Sequence, residues 1–370
     1  MQRSAIHTLF FLLLRDILTQ SGFTQGGSNA DIVLVDAYLK NITAEIDWSL
    51  AYEALIKDAE VEPPDWNIEG RGGLASWKSL GYIPTDNLDL DGVGLETRSI
   101  SRTVEYAYND FTIATLARAL GHLDDANKYL QRSANWANMF NPAQKSVING
   151  TDTGFVGFLQ PRFLNGSFGV QDPIYCSPLL NFTACYLNDG GGETYEGPVW
   201  LYTFFVPGDM ASLIDTLGGT ETFIKRLNWL HESGILYVGD EQAFLNLFLY
   251  HYAGRPGKSA ERAHQYIPSL FNDTVAGIPG NDDSGAMGSF EALVMMGLYP
   301  NAGQVRSPSQ SRLFDLRRAW WLTENRMCTS SPLPSSRRSA SRTNKPAKQQ
   351  RSETSTLIRS SRIYIFRARR

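Results

Sequence analysis

Cysteine is scarce in this chain, with three in 370 residues. So few exclude a disulfide-stapled miniature fold, and no Cys/His spacing predicts a zinc site. Long apolar runs are missing as well. The longest, Leu9-Phe-Phe-Leu-Leu-Leu14, stops at Arg15, far short of the ~20 residues a membrane-spanning helix needs. No P-loop, dinucleotide fingerprint, G-x-S-x-G elbow or HExxH motif occurs. What the chain does have is aromatic side chains, 12% of the total, within a 42% hydrophobic composition. That argues against a disordered chain and for one large or two ordinary domains with a real core.

The net charge of −4 conceals a division. From Val305 to Arg370 there are 16 Lys and Arg against 3 Asp and Glu, so residues 1–304 are strongly acidic. A basic arm of this kind could serve nucleic acid or a membrane surface. The tail is rich in Ser and Arg and has no hydrophobic period, which favours a disordered or mis-translated end with neither partner.

Between Asn29 and Gln304 the hydrophobic spacing is helical. It predicts helices over 30–39, 48–60, 101–120, 123–138, 197–217, 220–232, 240–253, 259–271 and 286–297. Gly- and Pro-bearing turns separate them, among them Gly70-Arg-Gly-Gly73, Asn141-Pro142, Gly218-Gly219 and Pro279-Gly280. The pattern reads as an all-α globule with one core. The long stretches 62–98 and 141–195 are expected as loops, and loops of that length are usually functional.

N-x-[ST] sequons, among them those at Asn41, Asn165, Asn181 and Asn272, lean towards a secreted protein. Cys176 and Cys185 lie close enough in sequence to close a small disulfide, which suits an oxidising compartment. The N-terminus resembles a signal peptide superficially. Its apolar run is short and no small-x-small cleavage site follows, so residues 1–28 are expected as an ordinary helical remnant with the true start upstream.

Three acidic clusters with aromatic neighbours carry the chemistry. In Glu193-Thr-Tyr-Glu-Gly-Pro-Val-Trp-Leu-Tyr202, Glu196 enters a helix beside Tyr195, Trp200 and Tyr202. An apolar setting raises a carboxyl pKa, as a general acid near neutral pH requires; a Glu complementing the helix dipole is the plainer reading. Gly280-Asn-Asp-Asp-Ser-Gly285 could hold a water or a cation, or simply cap the helix after it. Gly239-Asp-Glu241 offers hard oxygens suited to Ca²⁺, and helix capping is the stronger reading of that pair alone. Paired carboxylates among flat aromatic faces suggest glycoside hydrolysis.

At this point the chain resembles glycoside hydrolase family 92, the calcium-dependent exo-α-mannosidases, and in particular its fungal secreted members. The resemblance runs from about Gly22 to Gln304. It is carried by Gln25-Gly-Gly-Ser-Asn-Ala-Asp31, Lys57-Asp-Ala-Glu60, Ser101-Arg-Thr-Val-Glu-Tyr-Ala-Tyr-Asn-Asp110 and Arg132-Ser-Ala-Asn135, followed by Tyr195-Glu-Gly-Pro-Val-Trp-Leu-Tyr202, Tyr250-His-Tyr-Ala-Gly-Arg-Pro256 and Gly280-Asn-Asp-Asp-Ser-Gly-Ala-Met-Gly-Ser289.

The resemblance implies an (α/α)₆ toroid with the site at one mouth, and hydrolysis of α-linked mannose from N-glycans or mannoproteins with inversion. Glu196 matches the family's general acid and Asp283 the carboxylate that activates water, with Asn281 or Asp282 as helper. Asp240 and Glu241 match part of a Ca²⁺ ligand set, and Asp31, Glu105 and Trp200 match positions near the sugar. Family members also carry an N-terminal β-sandwich and further ring helices. These are expected to be missing here, leaving an incomplete toroid over 29–304. Pro207-Gly-Asp209 stands where many bacterial members have Pro-His-Asp, which removes one substrate-facing imidazole. The competing reading is an inactive remnant that at most binds glycan or calcium.

Overall fold

The computed structural model describes residues 29–64, 70–87, 98–181, 192–283, 285–298 and 301–304. The expected N-terminal helix and the basic tail from Val305 lie outside the described residues. Helices dominate what is described: α1 (Asn29–Leu39), α2 (Trp48–Glu60), α3 (Leu74–Leu80), α4 (Ser99–Leu120) and α5 (Leu123–Ser133), then α6 (Val199–Tyr202), α7 (Met210–Thr216), α8 (Thr220–Glu232), α9 (Pro256–Leu270) and α10 (Ala286–Met295). No helix among the described residues is long and apolar enough to cross a membrane.

Local chemistry accounts for many of the boundaries. The Asp47 carboxylate caps α2, accepting from the Ser49 and Leu50 amides at 3.1 Å each. Helix α4 is buried along most of its length, so it lacks the one-sided stripe of a surface helix. Its N-terminus is closed from far along the chain. The Glu193 carboxylate accepts from Ser99 N (2.7 Å) and from the Thr85 hydroxyl, and the Glu193 carbonyl accepts from Ile100 N and Ser101 N.

Several stretches depart from the sequence expectations. The first is 141–195, which is no continuous loop: β1 (Phe140–Ile148) and β2 (Thr151–Leu159) form an antiparallel hairpin, so the fold is helix-rich but not all-α. The turn is Asn149-Gly150 with both residues at positive φ (50° and 78°), the backbone that a two-residue hairpin turn demands. Gly157 leaves room for the Phe140 ring, which would lie 2.6 Å from any Cβ there. Arg226 of α8 ties the hairpin down, donating to the Val156 and Gly157 carbonyls at 2.8 and 2.7 Å.

The second departure is 197–217. One helix was expected, but the chain breaks between α6 and α7 around Pro207-Gly208, where proline removes a backbone donor and clashes with the preceding turn. The third is 240–253, which forms two 3₁₀ segments, Glu241–Leu247 and Leu249–His251, instead of an α-helix. A short helix also forms inside the expected loop 62–98: α3, bounded by left-handed Gly73 and Gly81.

Apolar side chains gather in three clusters. The largest joins α4, the hairpin, α6, α7 and α8 around Trp77, Trp136, Phe158 and Trp200. A second lies between α1, α2, α4 and α5, and a third between the 3₁₀ segment Glu241–Leu247, α9 and α10.

Threaded through the second cluster is a charged network. The Arg71 guanidinium, fully buried, donates to Asp31 (2.5 Å) and Asp110 (2.6 Å). Trp77 Nε1 donates to Asp110 at 3.1 Å. Beside it, Glu60 receives Arg132 (2.7 Å), Lys128 (2.7 Å) and the Tyr129 hydroxyl (2.9 Å). Burial alone would raise the Glu60 carboxyl, but these donors outweigh it and hold it at about 2, against 4.5 ordinarily.

A carboxylate depressed in the folded state stabilises above its unfolded pKa, and that contribution is lost as pH falls through the folded value. Glu60 should therefore contribute fully at pH 6 and progressively less between about 4.5 and 2. Because the side chain is a quarter exposed, screening reduces the effect to on the order of 1 kcal/mol. Urea unfolding of wild type and Glu60→Gln at pH 6 and pH 2.5 checks this. The gap between them should narrow at the lower pH, and a constant gap would refute the assignment.

Candidate active site

The site is assembled from three chain segments. The first is the turn that runs from the cap of α4 to the start of α6. Glu193 fixes its beginning and Pro198 its end, and between them Glu196 adopts a left-handed backbone, φ 49°. Its carboxyl is raised by burial, while hydrogen bonds from Tyr195 and Gln242 pull the other way. The charge of Asp283 adds to the rise, and that of Arg98 opposes it.

The second and third segments meet backbone to backbone. A Cβ on Gly280 would lie 2.0 Å from the Gly239 carbonyl oxygen, so no other residue fits there. Tyr237 clamps the contact from the side, its hydroxyl donating to the Pro279 carbonyl at 2.5 Å. This approach brings Asp240 and Glu241 into the electrostatic field of Asp283 and Glu196. Burial, reinforced by these neighbours, pushes Asp240 up to about 8 and Glu241 to about 7. Asp283 itself is exposed and, like Glu196, left-handed (φ 41°). Non-glycine residues in this region cost energy and concentrate at functional sites.

The other expected residues divide. Glu105 lies near the cluster: its charge reaches Tyr202, as does that of Glu196, and burial pushes its carboxyl up to about 8. Asn281 is exposed beside Asp283. Asp282 is occupied by α10. Its Oδ1 accepts from Gly288 N at 2.9 Å and its carbonyl from Ala286 N at 2.7 Å, so the capping expected of this turn falls to Asp282.

Two expected sugar contacts sit in the interior instead. Asp31 is buried and spends its carboxylate on Arg71. Trp200 is fully buried, stacked on Trp229 with centroids 4.2 Å apart, and its indole N–H donates to Ser146 Oγ at 2.8 Å. Neither presents a face to a ligand. At Pro207-Gly-Asp209, a Cβ on Gly208 would lie 2.7 Å from the Phe111 ring, and the Asp209 carboxylate accepts from Trp136 Nε1 at 3.2 Å.

Sequence reasoning missed two residues around Glu196, Arg98 and Gln242. Arg98 is buried and left-handed (φ 43°), and its guanidinium lies 5.1 Å from the centre of the Tyr195 ring. Tyr195 and Gln242 hydrogen-bond the Glu196 carboxyl. No local pattern marks Arg98 or Gln242, which lie far from residue 196 along the chain.

For a cation, the chemistry of the donors is suitable: Asp240 and Glu241 are hard oxygen ligands, and Glu241 Oε1 is buried without a hydrogen-bond partner among the described residues. Among the described residues, however, no group of three or more His, Cys, Asp and Glu side chains is drawn together closely enough to hold a metal ion.

Comparison with known proteins finds relatives of the whole described region. The glycosyl hydrolase family 92 catalytic domain model matches residues 15–313. An uncharacterized secreted glycosidase of Arthroderma benhamiae is 61% identical over 283 residues, covering 76% of this chain and 36% of the relative. A family GH92 α-mannosidase of Bacteroides thetaiotaomicron, in complex with mannoimidazole, superposes with a TM-score of 0.60 at 26% identity, covering 74% of this chain and 34% of its own. A GH92 inverting mannosidase of the same bacterium gives a TM-score of 0.59 at 25% identity, covering 75% and 36%. The chain thus spans about a third of the length of the proteins it matches. A family match across most of the described helices, together with a close fungal relative, places this chain in glycosyl hydrolase family 92.

Proposed function

We propose that the chain carries the catalytic centre of a secreted, inverting exo-α-mannosidase that removes α-linked mannose from N-glycans or mannoproteins. In this reading its helices follow the course of an (α/α)₆ toroid. The observation that carries the proposal is the contrast between two carboxyl groups within reach of each other's charge. Glu196 is half-buried and raised by burial, whereas Asp283 is exposed to solvent. Environments that separate two carboxyl groups in this way are how one site houses an acid and a base.

Glu196, its carboxyl raised by burial, delivers a proton to the leaving glycosidic oxygen. Asp283 takes a proton from the water that attacks the anomeric carbon from the other face. Asn281 orients that water beside Asp283, since the Asp282 carboxylate is spent on α10. Arg98 and Gln242 hold the Glu196 carboxyl in place. Glu105 faces the sugar next to Tyr202. Ca²⁺, when bound by Asp240 and Glu241 together with ligands beyond these two, supplies a hard Lewis acid for mannose hydroxyls.

The test uses the full chain with an α-linked mannobiose, with NMR recording the product anomer before mutarotation. β-Mannose should appear first. Chelation should abolish release, and added Ca²⁺ should restore it. An α-mannose first product would overturn the mechanism, and no release in excess Ca²⁺ would favour the competing reading, a glycan- or calcium-binding protein without activity.

A further inference from the structure

Two of the sequons, those at Asn165 and Asn272, share a local geometry. At Asn165-Gly-Ser167, the Ser167 hydroxyl donates to Asn165 Oδ1 at 2.6 Å and the Ser167 amide donates to the same oxygen at 2.9 Å. At Asn272-Asp-Thr274, the Thr274 hydroxyl and amide donate to Asn272 Oδ1 at 2.6 and 3.1 Å. Both asparagines are exposed, and neither Nδ2 has a hydrogen-bond partner among the described residues. We infer that Asn165 and Asn272 are sites of N-linked glycosylation, and that Asn41 is a poorer acceptor than either.

The chemistry follows from the turn. The carboxamide oxygen is saturated by two donors, which polarises the group and leaves the nitrogen facing solvent. That nitrogen forms a bond to C1 of the reducing sugar of a polyprenyl-diphosphate-linked oligosaccharide. The C1–O bond to the lipid diphosphate breaks, the diphosphate departs, and one amide proton is released. Because both hydrogen bonds close within three residues, the geometry needs no tertiary contact and is available to the chain before it folds. Gly166 (φ 82°) and Asp273 are turn-forming middle residues. At Asn41 the middle residue is β-branched Ile42, which resists such a turn. No Thr43 donor reaches the Asn41 side chain among the described residues, and the Thr43 carbonyl is occupied by Trp48 Nε1 at 3.3 Å.

Two further observations agree. Each site adjoins a single exposed apolar side chain, Leu164 and Val275, which an attached sugar would cover. Cys176 is disulfide-bonded, as befits a chain matured in an oxidising compartment; its expected partner, Cys185, lies outside the described residues.

The test is secretion of the full chain from yeast, endoglycosidase H treatment, and peptide mass spectrometry to find asparagines bearing the residual N-acetylglucosamine. Asn165 and Asn272 should both carry it, at several-fold higher occupancy than Asn41. Ser167→Ala and Thr274→Ala should each abolish the mark at their own site, while Ser167→Thr should keep it. Unmodified Asn165 and Asn272 peptides, occupancy at Asn41 equal to theirs, or a mark that survives Ser167→Ala would overturn the inference. Neither site lies in the proposed catalytic cluster, so the result is independent of the mannosidase assignment.

Discussion

Glu196→Gln should lower release of mannose from a disaccharide by roughly 10²–10⁴-fold, while an aryl mannoside with an easily expelled leaving group is hydrolysed at close to the wild-type rate. Glutamine keeps the shape of the side chain, and the amide can still meet Tyr195 and Gln242, but it has no carboxyl proton to give. A leaving group that departs unprotonated does not need one. Asp283→Asn should behave differently and cripple both substrates, because water must be activated whatever leaves. Paired kcat/KM measurements on the two substrates separate these roles. Equal losses on both substrates for Glu196→Gln would remove it as the general acid.

Arg71→Leu should cost about 3–5 kcal/mol of stability, the expected penalty when one partner of a buried ion pair is removed and its counter-charges remain. Here Asp31 would be left in the interior without its guanidinium, while Asp110 would keep Arg132 at 2.8 Å. Burial would then drive Asp31 to take up a proton, so the deficit should shrink at acid pH. Arg71→Lys should fall between wild type and Arg71→Leu, because an ammonium group cannot fork to two carboxylates as a guanidinium does. Urea unfolding measures all three proteins. A loss below about 1 kcal/mol for Arg71→Leu would mean that the network does not hold α1 and α4 together.

The helices were legible where hydrophobic period and punctuation agreed. Residues 48–60 and 220–232 are helical in the structure over the expected bounds, because Asp47 and the Gly218-Gly219 turn mark where they begin. The hairpin was legible in principle, since Asn149-Gly150 is a strong two-residue turn signal. Its strands alternate poorly, interrupted by irregular register between Asn141 and Val147, so they carry no clean period of two. The 3₁₀ segments over 241–251 are buried on nearly every side, and hydrophobic period cannot distinguish one kind of helix from another there.

At the site, the three acidic clusters were visible as clusters. Their convergence was not, because it depends on the Gly239–Gly280 contact between residues 41 positions apart. Asp31 and Trp200 mark the opposite limit. Both belong to the segments that carry the family resemblance, and in this structure both serve the interior: Asp31 neutralises Arg71 and Trp200 fills the space between the hairpin and α8. A resemblance in sequence locates a residue without stating whether it faces a ligand or a neighbouring helix.

Under the proposed roles, the left-handed backbone at Glu196 and Asp283 sets stability against activity. A side chain in that region costs roughly 1–3 kcal/mol, and glycine would pay almost none of it. Substituting glycine at either position should therefore relax the turn and make the folded chain harder to unfold, at the expense of the carboxyl group. Selection for heat resistance alone would be expected to erode these two positions early, so a thermostable variant of this protein would have to gain its stability elsewhere.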